Sequence, residues 1–277
     1  MADWIEAALG GGRLGRAAER VVGVLRDEPK FASYASTAEL AERADVNVAT
    51  VVRAAQALGY TGWPALRVEL RSRYLASLNA GEVLAEHAGA DADPVRAAFR
   101  ADREGLRALE LTLDPGRVSA LAEAIHGARR TRVVGSGTFA APGLQLAHAA
   151  GIMGYDVERV DVGGTALVNA LARMGPRDLL LACDLWRLPV ALRAAAEVAR
   201  DRGVPVAVIT DRRDSPLADG AEHVLLVPSE GVGMFPSLTP TTAVVHAVLA
   251  ELARIGGEAV LEAVRGTERL WEQSELF

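Results

Sequence analysis

The segment Ser36-Thr-Ala-Glu-Leu-Ala-Glu-Arg-Ala-Asp-Val-Asn-Val-Ala-Thr-Val-Val-Arg53 admits few folds. Ser36 and Glu39 stand at capping-box spacing, so a helix starts there. Leu40, Ala41 and Ala44 give that helix a buried side, and Asp45-Val46 supplies a turn. Asn47 is a strong cap for a second helix, along which Val48, Val51, Val52, Ala55 and Leu58 recur at helical spacing. Gly59 follows as a stop at the C′ position. Two short helices joined by a tight turn, with small residues at their crossing, form a helix-turn-helix. The second helix of such a motif suits the major groove of DNA.

The remaining face selects the residues that would meet the duplex. Ala49, Thr50 and Arg53 point away from the valine stripe, near the N-terminal end of the second helix. Asn47 sits at that end, where free N–H groups suit a phosphate. Thr50 and Arg53 reach toward base edges, and arginine prefers guanine O6 and N7. Arg43 opens a run to Arg73 that holds five arginines against Asp45 and Glu69, a local charge of +3. The bland alternative is a pair of ordinary surface helices with Arg53 merely solvated.

The chain as a whole is acidic, −6 over 277 residues, which disfavours a polyanionic partner. The charge is unevenly spread. Residues 1–80 carry ten basic and nine acidic side chains, net +1, and the rest carries −7. Cys183 is the only cysteine, so no intramolecular disulfide forms, and a reducing cytoplasm is expected. The five histidines are scattered without metal-ligand spacing, so no metal site is expected. The start, Met-Ala-Asp-Trp-Ile-Glu, has no apolar signal core, and no run approaches the ~18 apolar residues of a membrane span.

Residues 64–79 read as a further helix with Leu66, Leu70, Tyr74 and Leu78 on one stripe. Residues 80–93 are small and acidic and read as a linker. Asp93-Pro94 starts a connecting helix whose stripe (Val95, Phe99, Leu106, Leu109, Leu113) packs either on its own chain or on a second subunit. Asp114-Pro115 starts another helix, ending near Ala128.

From Thr131 the pattern changes. Short apolar strands at 132–135, 157–162, 178–183, 205–210 and 223–227 alternate with helices at about 139–153, 188–202 and 239–255. Continuous apolar strands separated by helices predict a parallel sheet covered on both faces. The expected fold is α/β: an all-helical N-terminal helix-turn-helix domain plus a doubly wound, parallel, five-stranded domain with right-handed crossovers. Ligands of such sheets sit at the C-terminal strand ends. Gly135-Ser-Gly-Thr138 lies at one, but it has neither the third glycine of a dinucleotide fingerprint nor a Gly-Lys-[Ser/Thr]. No cofactor is expected.

Two linked stretches carry a family resemblance. Leu-Ala-Glu-Arg-Ala-Asp-Val-Asn-Val-Ala-Thr-Val-Val-Arg and Ala-Leu-Gly-Tyr-Thr-Gly-Trp-Pro-Ala-Leu-Arg resemble the N-terminal domain of RpiR-type bacterial transcription regulators over about residues 14 to 75. Asn47 stands at the family's usual serine and Trp63 at its usual Tyr or Phe. Residues 115–255 resemble the SIS (sugar isomerase) domain that usually follows. The matching stretches are Val-Val-Gly-Ser-Gly-Thr, Asp178-Leu-Leu-Leu-Ala, Arg-Asp-Arg-Gly-Val-Pro-Val-Ala-Val-Ile-Thr-Asp211, Ser215-Pro-Leu-Ala218 and Val-Leu-Leu-Val-Pro228. The resemblance implies a helix-turn-helix domain over 1–79, a linker and connecting helix over 80–114, and a SIS-like sensor and dimerisation domain over 115–277. It implies a cytoplasmic, non-enzymatic regulator that dimerises, binds an inverted-repeat operator and answers to a sugar phosphate or related effector.

The chain departs from the SIS pattern where that phosphate would sit. The family's Ser-x-Ser-Gly-x-Thr-x-Glu after strand three reads Asp184-Leu-Trp186-Arg187-Leu-Pro189-Val-Ala191 here, and Phe139 replaces a common serine. Asp184 repels phosphate and Pro189 removes a donor amide, while Ser136 and Thr138 keep hydroxyls and Arg187 offers a cation. Trp186 is either a ligand wall or a packing residue. Three readings stay open: a different ligand held by Ser136, Thr138, Asp184, Trp186 and Arg187, a vestigial site, or a phosphosugar in an altered pose. The rivals to a regulator are a SIS-class phosphosugar isomerase and a sensor or scaffold without DNA binding.

Overall fold

The computed structural model describes residues 2–9, 12, 14–87 and 93–275, which divide into two compact units. The first comprises 1–112 with 230–237, and the second 113–229 with 238–277.

The first unit is helical: α1 (Ala2–Leu9), α2 (Arg16–Asp27), α3 (Pro29–Tyr34), α4 (Thr37–Arg43), α5 (Val48–Ala57), α6 (Trp63–Ser77), α7 (Ala80–His87) and α8 (Pro94–Thr112). The capping box forms: Glu39 N–H donates to Ser36 Oγ at 3.2 Å, and Ser36 N–H donates to Glu39 Oε2 at 2.7 Å. Asp45 turns the chain with φ of 51°, a left-handed conformation that Asp tolerates in turns. Gly59, at φ 83°, closes α5: the Tyr60 N–H reaches Ala55 O and the Gly59 N–H reaches Gln56 O, a Schellman stop. The buried stripe of α5 is Val51, Ala54, Ala55 and Leu58. Val48, expected inside, is 48% exposed as the first residue of α5, whereas Thr50 and Val51 in the same turn are buried. Trp63 fills the centre of this unit, 1% exposed, and its indole N–H donates to Ala35 O at 3.1 Å.

The expected linker is partly ordered. Asn79 and Glu82 cap each other at 2.7 and 2.9 Å and start α7. Residues 88–92 of that stretch lie outside the described residues. Glu230 belongs to the helical unit through an ion pair with Arg71, and its carboxylate lies 3.7 Å from His87 Nε2.

The second unit is the α/β half. It runs α9 (Pro115–Gly127), β1 (Thr131–Gly135), α10 (Ala140–Ile152), β2 (Val157–Asp161), α11 (Gly164–Ala172), β3 (Leu179–Asp184), α12 (Val190–Asp201), β4 (Val206–Thr210), β5 (His223–Leu226) and α13 (Thr239–Gln273). All five strands are parallel in the order β2-β1-β3-β4-β5. Alternation splits the strand residues between two faces. Val134, Val160, Leu180, Ala182, Val206 and Val208 pack under α11 and α12. Helices α9, α10 and α13 pack together, with α10 against β1 and β2 and α9 against β5. Asp178, at the entry to β3, is structural: Arg129 grips both its oxygens at 2.9 and 2.8 Å.

Helix α11 was not expected; its sequence, Gly-Thr-Ala-Leu-Val-Asn-Ala-Leu-Ala, shows no strong polar face. The helix expected to end near 255 is broken at Gly257, whose φ of 49° and ψ of −125° are non-helical, and a second helical stretch follows to Gln273, so that α13 is two helices joined at a kink. Only glycine takes that conformation freely.

Candidate functional site

The N-terminal end of α5 carries a short relay of side chains. Asn47 Oδ1 accepts the Thr50 N–H at 2.9 Å and the Thr50 hydroxyl at 3.0 Å. Arg53 Nη2 donates to Thr50 Oγ1 at 3.1 Å. Asn47, Ala49 and Arg53 are exposed, with Val48 beside them. Thr50, expected to reach base edges, is 5% exposed with its hydroxyl turned onto Asn47 and Arg53. Its position on α5 faces the crossing, so it does not present an edge to a groove.

Arg43 also differs from expectation. Its Nε donates to Glu28 Oε1 at 2.8 Å, its Nη2 contacts Glu28 Oε2, and its guanidinium lies 5.3 Å from the Phe31 ring centroid. The neighbouring Glu28 lowers the free charge Arg43 could offer to a phosphate. Arg20, which the sequence pattern did not single out, takes a structural role at the turn. Its Nε donates to Ala44 O at 3.0 Å, and its Nη2 donates to Asp45 O. It fixes the turn that aims α5. Arg20, Glu42, Asp45, Asn47 and Thr50 line an open depression there. The signal was invisible because Arg20 comes from α2, 24 residues away; its hydrogen bonds go to backbone carbonyls, and its Nη2 lies 3.9 Å from the Asp45 carboxylate.

In the α/β unit, strand order reverses between β1 and β3, which places the candidate crevice at their C-terminal ends. Gly135 ends β1; a Cβ there would lie 2.9 Å from Phe139 O and 3.0 Å from Ala140 Cα, so only glycine permits the tight turn. Ser136 is half-buried and Thr138 exposed on that turn. Asp184 ends β3 at 2% exposure, and its Oδ1 is buried with no hydrogen-bond partner among the described residues. Burial and then the neighbouring Asp211 carboxyl push Asp184 up to about 7, against a smaller opposing effect of Arg212. Asp211 is itself raised by burial and steadied by Ser229, whose Oγ donates to its Oδ2 at 2.6 Å.

The same Asp211 oxygen accepts the Trp186 N–H at 3.1 Å, which helps hold Trp186 at φ 69°. Such a backbone is costly for a bulky residue and persists only where surroundings enforce it. The Arg187 guanidinium stacks 4.8 Å from the Trp186 ring centroid and is exposed. Pro189 caps α12 without a side-chain hydrogen bond. The C-terminal strand ends therefore carry Ser136 and Thr138 on the loop after β1, and the buried Asp184 and the Trp186–Arg187 stack after β3. Cys183, buried next to Asp184, is pushed up to about 12 by burial and is chemically inert as a nucleophile. Among the described residues no cluster of His, Cys, Asp and Glu could hold a metal, and no helix is long and apolar enough to cross a membrane.

Residues 11–77 match the family model of the helix-turn-helix domain of the rpiR family, and residues 124–251 match that of the SIS domain. The sugar isomerase domain of an RpiR transcription factor from Sphaerobacter thermophilus is 35% identical. It superposes with a TM-score of 0.61 over 64% of this chain and 98% of that one. The chain belongs to the RpiR family. An uncharacterized HTH-type transcriptional regulator of Escherichia coli K12, YfhH, is 28% identical over 208 residues, 73% of each chain. Vibrio vulnificus NanR, solved with ManNAc-6P, shares the fold over 96% of this chain and 97% of its own, with 19% identity and a TM-score of 0.60. The RpiR-family assignment explains the pairing of a helix-turn-helix with a parallel α/β sheet in one chain.

Proposed function

We propose that this RpiR-family protein is a sequence-specific DNA-binding regulator that places α5 in the major groove and reads base edges with Arg53. Asn47 and Ala49 flank Arg53 at the phosphate and the groove wall. The observation that carries this is the exposed N-terminal end of α5, with a capped first turn and an arginine tethered to it. A second copy of the chain doubles a short contact and gives an inverted-repeat operator. The protein acts where the chromosome is, in the cytoplasm.

The α/β half is read as an effector sensor rather than an isomerase. NanR is solved with ManNAc-6P, so this fold accommodates a sugar phosphate. Here Asp184 and Pro189 stand where the SIS pattern has phosphate-binding hydroxyls and amides. A sugar-related ligand without phosphate, stacked on Trp186 and met by Arg187, Ser136 and Thr138, fits these residues better.

Arg53→Ala tests the DNA reading. It is expected to weaken binding to a cognate duplex by ~1–3 kcal/mol at fixed salt if Arg53 pairs with guanine. An equal loss on cognate and random duplex would reduce Arg53 to a phosphate contact.

A further inference from the structure

We propose that Thr50 is a positioning residue for DNA specificity, acting through Arg53 rather than by touching the duplex. The inference rests on the reading of α5 as the DNA-reading helix.

The hydrogen-bond directions are fixed by chemistry. Asn47 Oδ1 can only accept, so the Thr50 hydroxyl proton goes to it, at 3.0 Å. The lone pairs of Thr50 Oγ1 are then left to accept from Arg53 Nη2, at 3.1 Å. One hydroxyl thus links the helix cap to the guanidinium. Asn47 is held in turn by the Thr50 N–H at 2.9 Å, so the anchor does not swing. Thr50 itself is 5% exposed, while its partners Asn47 and Arg53 face solvent, so the hydroxyl is the buried link of the relay.

Thr50 and Arg53 stand three residues apart, on one side of the helix. A free arginine samples many rotamers, and binding must freeze them. A guanidinium already tethered by one N–H loses less on binding. An arginine has five N–H donors, and one to Thr50 leaves four. Those suffice for the paired contact to N7 and O6 of a guanine in the major groove. Arg43, by contrast, is held to Glu28 and leans over Phe31. Within this region Arg53 is the arginine whose tether points along the reading helix.

The chemistry predicts a specific dependence. Thr50→Val keeps the shape and deletes the hydroxyl, and Thr50→Ser restores it. The probe is a duplex enriched from a random pool by the wild-type protein, titrated beside a scrambled duplex by fluorescence anisotropy at fixed salt, well below the melting temperature of every variant. Thr50→Val is expected to cut the cognate-to-scrambled affinity ratio about tenfold, with Thr50→Ser near wild type. In the Arg53→Ala background, Thr50→Val is expected to change that ratio no further, the mark of two residues acting as one unit. If Arg53→Ala lowers the ratio and Thr50→Val leaves it intact, or if Thr50→Val lowers it equally with and without Arg53, the positioning role is overturned. If Arg53→Ala leaves the ratio intact, the reading of α5 fails first.

Discussion

Asp184 sits at 2% exposure at the C-terminal end of β3, with a buried oxygen that lacks a partner among the described residues. Its carboxyl is pushed from 3.8 to about 7 by burial and by Asp211. The native state therefore keeps a proton that the unfolded chain releases once pH passes 3.8. Stability from this group is full at low pH, falls as pH rises from about 4 to about 7, and is flat above that. Asp184→Asn keeps the shape and removes the ionisation. It is expected to stabilise the protein at pH 8 by roughly 1–3 kcal/mol and to change little near pH 4. Denaturant melts of both proteins across pH 4 to 8 decide it. A variant less stable at pH 8 would contradict the destabilising role assigned to the buried Asp184 carboxylate. Trp63 makes a plainer case: with its ring fully enclosed and its N–H bonded to Ala35, Trp63→Ala is expected to cost ~3–5 kcal/mol. Such a loss would separate a folding defect from a DNA-contact defect when compared with Arg53→Ala.

At the scale of elements, periodic segments were legible and side-chain partnerships were not. The capping box at Ser36, the Asn47 cap and the Gly59 stop are local rules, and α4 and α5 form where those rules put them. Strands β1, β3, β4 and β5 were legible as β-branched and leucine runs between turn residues, while β2, Val-Glu-Arg-Val-Asp, was legible only through its spaced valines and its place in the alternation with helices. Helix α11 was missed because Gly-Thr-Ala-Leu-Val-Asn-Ala-Leu-Ala shows no strong polar face. The burial of Thr50 was not legible because spacing gives a residue's angle around a helix but not the tilt of that helix against its neighbour. The ion pair of Arg43 with Glu28 was not legible because Glu28 sits 15 residues away, between α2 and α3. Asp184, Trp186 and Arg187 were singled out through departure from a pattern, but Asp211 and Ser229, which follow other strands, carry no local signal. At this scale the loop after β3 gives a test of the proposed sensing role. Hexose and pentose phosphates are expected to leave the melting temperature unchanged, whereas a saturating true effector at 100 times its Kd adds about 2.7 kcal/mol. Stabilisation by a sugar phosphate that disappears in Arg187→Ala would mean that one arginine replaces the missing hydroxyls.

At the scale of the whole molecule, the −6 charge works against DNA in general, so binding must come from a small, well-placed face. Pairing of two such faces would help. Helix α8 leaves Val95 and Phe99 at 65% and 71% exposure, with Leu106 partly open on the same stripe and Leu109 buried. Sedimentation of the full chain at micromolar concentration is expected to give a dimer or larger species. A clean monomer would remove the basis for an inverted repeat. The most direct test of the central claim is selection of duplexes from a random pool by the full-length protein, followed by sequencing. A regulator reading through Arg53 enriches a defined inverted repeat, and Arg53→Ala loses that enrichment. A wild-type pool no different from the input, or an Arg53→Ala pool with the same motif at the same strength, would contradict it.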